Sequence, residues 1–147
     1  MISVIMSAYN DENSVKLAID SILNQNYQDF EFLIMDDFST DNTFEICKDY
    51  SKLDERIIVY RNDTNLGLTK SLNKGIKIAK GEYIARMDAD DICNINRFAL
   101  QINYLQKNPC MNGSKIQNQI IKKIIIFYYL KLKWQEDMVE KLEETQV

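Results

Sequence analysis

The chain contains no histidine, and that absence removes more chemistry than any other feature of its composition. Ser-His and Cys-His nucleophile pairs are excluded, as are histidine-rich metal sites, which leaves Asp, Glu, Lys, Tyr and Arg for acid-base work. Cysteine is also scarce: Cys47, Cys93 and Cys110 are widely spaced with no CxxC pair, so neither a disulfide framework nor a zinc site is indicated. Basic residues are not in excess; the net charge of -4 argues against a nucleic-acid partner held on a broad basic face. Long apolar runs are missing too, since the longest uncharged apolar stretch, IIIFYYL, is far below the ~20 residues a membrane span requires. The opening MISVIMSAYNDEN has no basic segment ahead of its apolar run, and it reads as a first strand and not as a signal peptide, with the cytoplasm as the expected compartment.

What is present fits one soluble domain with a core: 147 residues, 46% of them hydrophobic and 27% charged. Short apolar runs alternate with helical patterns. Strands are predicted at Ile2 to Ala8, from Phe30, at Arg56 to Asn62 and in EYIARMD. Between them lie helical faces built from Val15, Ala18, Ile19, Ile22 and Leu23, then Phe44, Ile46, Cys47 and Tyr50, then Leu68, Leu72, Ile76 and Ala79. Ser39, Thr40 and Asp41 are N-cap candidates for the second helix, and Gly81 is a C-cap candidate for the third. A fourth helix presents Phe98, Ile102 and Leu105 and ends at Pro109. This alternation predicts an α/β fold, a mainly parallel sheet with helices on both faces.

In such sheets ligands gather at the carboxyl ends of the strands. The loops there are SAYNDE, DDFSTD, NDTNLG and DADD, all polar and mostly acidic, while the opposite rim looks plain. In YIARMDADDI three carboxylates occur within four residues, and charges that close call for a cation, backbone donors or open water.

The ordered set SVIMSAYNDE, FEFLIMDDFSTDNT, NLGLTKSLNKGI and GEYIARMDADD resembles the nucleotide-binding half of glycosyltransferase family 2, the inverting GT-A enzymes that use nucleotide-diphosphate sugars. The resemblance runs from Ile2 to about Pro109. It implies a GT-A, Rossmann-like domain over 1–109, a UDP-type donor, and Mg2+ or Mn2+ as cofactor. It places Asp88 near the ribose and metal and Asp90 on the metal, with Ala89 between them. Asp37 would accept a hydrogen bond from the base, Tyr9 would stack beside it, Glu12 would orient that loop, and Ala8 and Asn10 would line the donor. Arg86 would pair with Asp88 or a phosphate. Lys70 would substitute for an arginine that some relatives carry where this chain has Leu72, and Ser7 and Ile95 stand where prolines are common. Chemically the carry-over is sound, because a diphosphate leaving group is neutralised by a hard cation held by one or two carboxylates and phosphate oxygens. The alternative for Asp91 is a cap on the following helix, and for Asp41 a turn or cap.

From Cys110 the resemblance stops. Ile116, Ile120, Ile124, Phe127, Leu130, Trp134, Met138 and Leu142 form an apolar row that predicts one long helix over 110–147, facing a core, a protein partner or, through 116–142, a membrane surface at its cytoplasmic side. The domain is thus expected to be truncated. Glu136 and Asp137 are similar to the acidic pair from which relatives draw a general base, and they are weak candidates for it; the acceptor, whether glycan, lipid or protein, is not indicated. Two other readings stand beside the glycosyltransferase: an inactive nucleotide-sugar-binding remnant, separated from it only by turnover, and an unrelated phosphotransfer receiver. The receiver needs a facing lysine on a later strand, and the sequence offers none.

Overall fold

The computed structural model describes residues 1–107. Four strands, β1 (Ile2–Ala8), β2 (Phe30–Asp36), β3 (Ile57–Arg61) and β4 (Tyr83–Asp88), alternate with four helices, α1 (Val15–Leu23), α2 (Thr43–Leu53), α3 (Leu68–Ile78) and α4 (Arg97–Lys107). The strands form one parallel sheet in the order β3-β2-β1-β4. The chain steps outward from β1 to β3, then crosses back to place β4 on the other side of β1. Because parallel crossovers keep one hand, this reversal moves the connecting helix to the opposite face.

The two faces are accordingly covered by different helices. Val4, Met6, Phe32 and Ile34 pack with Val15, Ala18, Ile19 and Ile22 of α1, Cys47 of α2, and Phe98 and Ile102 of α4. Ile5, Leu33, Met35 and Ile84 pack under α3 through Leu72, Ile76 and Ala79. Every residue of β2 is buried, so both faces demand apolar side chains and the strand reads as a continuous run instead of an alternation.

Four local expectations change. α2 begins at Thr43 with Asn42 at the cap position, yet the side chain that serves its first turn is Asp41, whose Oδ1 accepts the Thr43 N–H at 2.9 Å. Gly81 is not the C-cap of α3, which closes at Ala79. Its smallness is needed elsewhere: a Cβ on Gly81 would lie 2.5 Å from the backbone nitrogen of Ser3. That contact belongs to a polar network at the amino edge, where Gly81 N–H donates to Ser3 Oγ at 2.7 Å and Glu31 Oε1 accepts both Ser3 Oγ–H at 2.5 Å and Lys80 N–H at 2.6 Å. Glu31 is a buried carboxylate, so this rim is not plain. Asp91 does not cap α4 either; its N–H closes a turn on the Asp88 carbonyl, and Asn94 serves the start of α4. Among the described residues no helix is long and apolar enough to cross a membrane. Pro109, the segment 110–147, Glu136 and Asp137 lie outside the described residues.

Candidate functional site

Register brings the candidate loops to one edge. Ala8 pairs with Asp36, Ser7 with Asp88, and Asp36 with Arg61, so β1, β2 and β4 end nearly level and release their loops side by side. The reversal of strand order falls between β1 and β4, which is where α/β sheets open a crevice for ligands.

The first two loops are clasped. Asn10 N–H donates to Ser39 Oγ at 3.1 Å, while Asn10 Oδ1 accepts Thr40 N–H at 2.9 Å. Asp11 N–H donates to Thr43 Oγ1 at 2.7 Å and Glu12 N–H to Asp41 Oδ2 at 3.2 Å. In return, Glu12 Oε2 accepts the Asn42 backbone N–H at 3.0 Å and its side-chain amide at 2.9 Å. Asn10 adopts φ 56°, a left-handed conformation that asparagine tolerates, and its side chain is committed to the clasp. Ala8 is buried and its carbonyl accepts the Asp37 N–H at 2.8 Å. Tyr9 stands clear of these contacts with 46% of its surface exposed.

Asp37 is held by donors from inside the fold. It is 2% exposed, and four internal donors converge on its carboxylate: Asn62 Nδ2 at 2.7 Å, Ser71 Oγ at 2.8 Å, Leu66 N–H at 2.9 Å and Gly67 N–H at 2.7 Å. Burial pushes its carboxyl upward, but these hydrogen bonds together hold it below the ordinary carboxylate range. Asp37 therefore anchors the loop between β3 and α3, whose Gly67 takes φ 83° where a side chain would be strained. Lys70 is exposed and has no hydrogen-bond or ion-pair partner among the described residues; Lys74, one turn later, reaches this network through Asn62 Oδ1 at 2.9 Å.

On the β4 side, Asp88 is partly exposed and is paired with Arg86, whose Nη2 lies 2.7 Å from Asp88 Oδ1. Ala89 is buried in the core and Asp90 is exposed. Asp90 lies close enough to affect Asp11: burial raises the Asp11 carboxyl, its hydrogen bond from Tyr9 N–H opposes this, and the charges of Asp90 and Asp41 raise it further. The crevice between β1 and β4 thus gathers carboxylates close enough to raise one another's protonation. Among the described residues no three acidic or cysteine side chains converge as a ready cage for a metal. Hard carboxylate oxygens on an accessible rim suit Mg2+ or Mn2+ when most ligands come from a diphosphate and water.

Buried Asp36 forms an ion pair with Arg61 (Nε to Oδ2, 3.3 Å), and its Oδ1 has no hydrogen-bond partner among the described residues. Arg61 Nη2 also donates to the Ser39 carbonyl at 2.8 Å, and its guanidinium lies over the Phe44 ring at 4.5 Å. Burial, with the charges of Asp36 and Asp11, pushes the Cys47 thiol up to about 12, so it remains a protonated core residue.

Sequence reasoning did not single out Asp11, Arg61, Asn62, Ser71 or Lys74. A partial signal was present for two of them: Ser71 and Lys74 share a helical face three residues apart.

The sheet order, the helices on both faces and the acidic carboxyl edge define a class, a Rossmann-like α/β domain of the GT-A type. The chain belongs to glycosyl transferase family 2, whose family model matches residues 3–127. It is 44% identical over 108 residues to an uncharacterized glycosyltransferase of Haemophilus influenzae, covering 74% of this chain and 33% of that one. It is 37% identical over 108 residues to the Escherichia coli UDP-Glc:alpha-D-GlcNAc-diphosphoundecaprenol beta-1,3-glucosyltransferase WfgD, covering 74% of this chain and 42% of that protein. The structure of S. aureus TarS 1-349 in complex with UDP-GlcNAc is similar with a TM-score of 0.68 at 28% identity, over 74% of this chain and 32% of TarS. The mannosyltransferase PcManGT from Pyrobaculum calidifontis, in complex with GDP-Man and Mn2+, shares the fold with a TM-score of 0.66 at 23% identity, over 71% of this chain and 32% of that one. The chain spans less than half the length of the curated relatives it matches, about a third of the Haemophilus influenzae protein and two fifths of WfgD.

Proposed function

We propose that this chain binds a nucleotide-diphosphate sugar, UDP-type by preference, as the donor domain of an inverting glycosyltransferase. The observation that carries the reading is the register: strand ends placed level at Ala8, Asp36 and Asp88 gather Tyr9, Asp11, Asp88 and Asp90 around the crevice where strand order reverses. Asp88 and Asp90 would hold Mg2+ or Mn2+, and that ion, when bound, would neutralise the charge that develops on the departing diphosphate. The chain's own groups do the rest. Arg86 fixes Asp88 and supplies positive charge beside the diphosphate position. The clasp between the first two loops holds the Tyr9 face open toward the nucleoside.

Transfer also requires an acceptor and a carboxylate to take the proton of its hydroxyl. Glu136 and Asp137 are the proposed candidates for that base, the acceptor being a glycan, lipid or protein and the segment 116–142 a protein or cytoplasmic membrane contact. Calorimetry with UDP and a UDP-sugar, with and without Mn2+, tests the donor reading: binding strengthened by Mn2+ and abolished by Asp90→Ala is expected. Equal affinity in the substituted and unsubstituted chains overturns the metal assignment. Incubation with UDP-sugars and a panel of acceptors then separates a transferase from a protein that only binds donor.

A further inference from the structure

We propose that Phe38 is a nucleoside-contact residue, its ring forming a platform for the nucleobase, and that Arg61 is the positioning residue that holds it there. The proposal rests on the nucleotide-sugar reading above. Phe38 has φ 67°, in the left-handed region where a Cβ is strained and where a bulky aromatic residue is a true outlier. Such residues persist only where their surroundings over-determine them, and they concentrate at ligand sites. The surroundings here do so. Ser39 N–H donates to Asp36 Oδ2 at 3.3 Å, Arg61 Nη2 donates to the Ser39 carbonyl at 2.8 Å, and the Arg61 guanidinium lies 5.7 Å from the centre of the Phe38 ring.

The core gains little from this arrangement, because Phe38 remains 43% exposed. Glycine or asparagine would make the same turn without the strain, so the ring's contribution lies outside the fold. Its position is on the carboxyl edge, beside the loop of Tyr9: the Asp37 N–H bonded to the Ala8 carbonyl joins the two loop starts, and each sends out one exposed aromatic side chain. Of the parts of a nucleotide sugar, the base is the one that stacks on aromatic rings, and stacking tolerates different bases.

The test is calorimetry on the full chain with two probes, UDP and pyrophosphate, each with Mn2+. In Phe38→Gly, UDP should bind about 5-fold to 150-fold more weakly, the range for losing one base-aromatic stack. Pyrophosphate, which has no base, should bind within about twofold of the unsubstituted chain, and the melting temperature should be unchanged or higher because the strain is relieved. Phe38→Tyr should retain UDP affinity. Arg61→Lys keeps a charge at Asp36 but loses the planar contact with the ring, so it should weaken UDP in the same direction and add nothing further in a Phe38→Gly background. Unchanged UDP affinity in Phe38→Gly overturns this proposal alone, as does an equal loss for both probes. If the unsubstituted chain binds pyrophosphate and no nucleotide, or neither probe, the nucleotide-sugar reading fails and this proposal with it.

Discussion

Asp37 shows how a single residue's surroundings decide its use. A loop carboxylate after a strand suits a ligand, but this one is closed over by Asn62, Leu66, Gly67 and Ser71. Asp37→Ala should therefore destabilise the fold by about 2–4 kcal/mol, since several buried donors lose their acceptor together. Urea denaturation read by circular dichroism measures it. The pH dependence has a definite sign. An acid whose folded pKa is depressed adds stability above its unfolded value, and that stability is lost as pH falls through the folded value. For Asp37 the loss should set in below about pH 4 and be missing from Asp37→Ala. Asp90 is the opposite case. It is exposed and raises its neighbour, so Asp90→Asn should leave stability within about 0.5 kcal/mol and lower the Asp11 pKa, a shift visible by carboxyl NMR titration.

Between elements, close contact is enforced at the amino edge and polar clasping at the carboxyl edge. Gly81 lies against the start of β1, where the obstructing atoms belong to the backbone and side chain of Ser3 and the carbonyl carbon of Ile2. These cannot swing aside as a flexible side chain does. Gly81→Ala should cost about 1–3 kcal/mol, the usual range for overpacking, by forcing β1 and β4 apart. Because the Gly81–Ser3–Glu31 network lies at the opposite end of the strands from the rim, UDP affinity of the folded variant should stay within about twofold, checked by calorimetry below its melting temperature. The clasp between residues 10–12 and 39–43 works differently: it fixes two loops to each other with side chains that could otherwise have met a ligand.

At the scale of the whole molecule, the proposed donor-binding residues lie within residues 1–107, while the candidates for the acceptor base lie further along the chain. A Glu136→Gln, Asp137→Asn double substitution should leave UDP affinity within about twofold by calorimetry. Transfer, in a preparation that shows it, should fall by about 100-fold to 10,000-fold if this pair supplies the base. The two terms separate because in the proposed scheme donor binding would rest on the metal and rim, whereas proton removal and acceptor alignment are independent contributions to rate.

The sequence by itself determined the order and type of every described element, because apolar runs a strand long and 3–4 spacings a helix long are local signals: β1 runs from Ile2 to Ala8 and β2 starts at Phe30 as the pattern predicts. It also placed Asp88 at the end of β4 and Asp90 on the loop that follows, and its ordered motifs led to the family. It could not show where side chains turn once loops meet. The inward commitment of Asp37, the clasping of Asn10 with Thr40, the reach of Lys74 to Asn62, and the Arg61 contact that holds Phe38 all join residues a dozen to thirty positions apart. Such pairings depend on strand register and on the reversal between β1 and β4, and no local pattern encodes them. Only the tertiary structure decided which polar residues of the rim hold the fold and which remain free to meet a ligand.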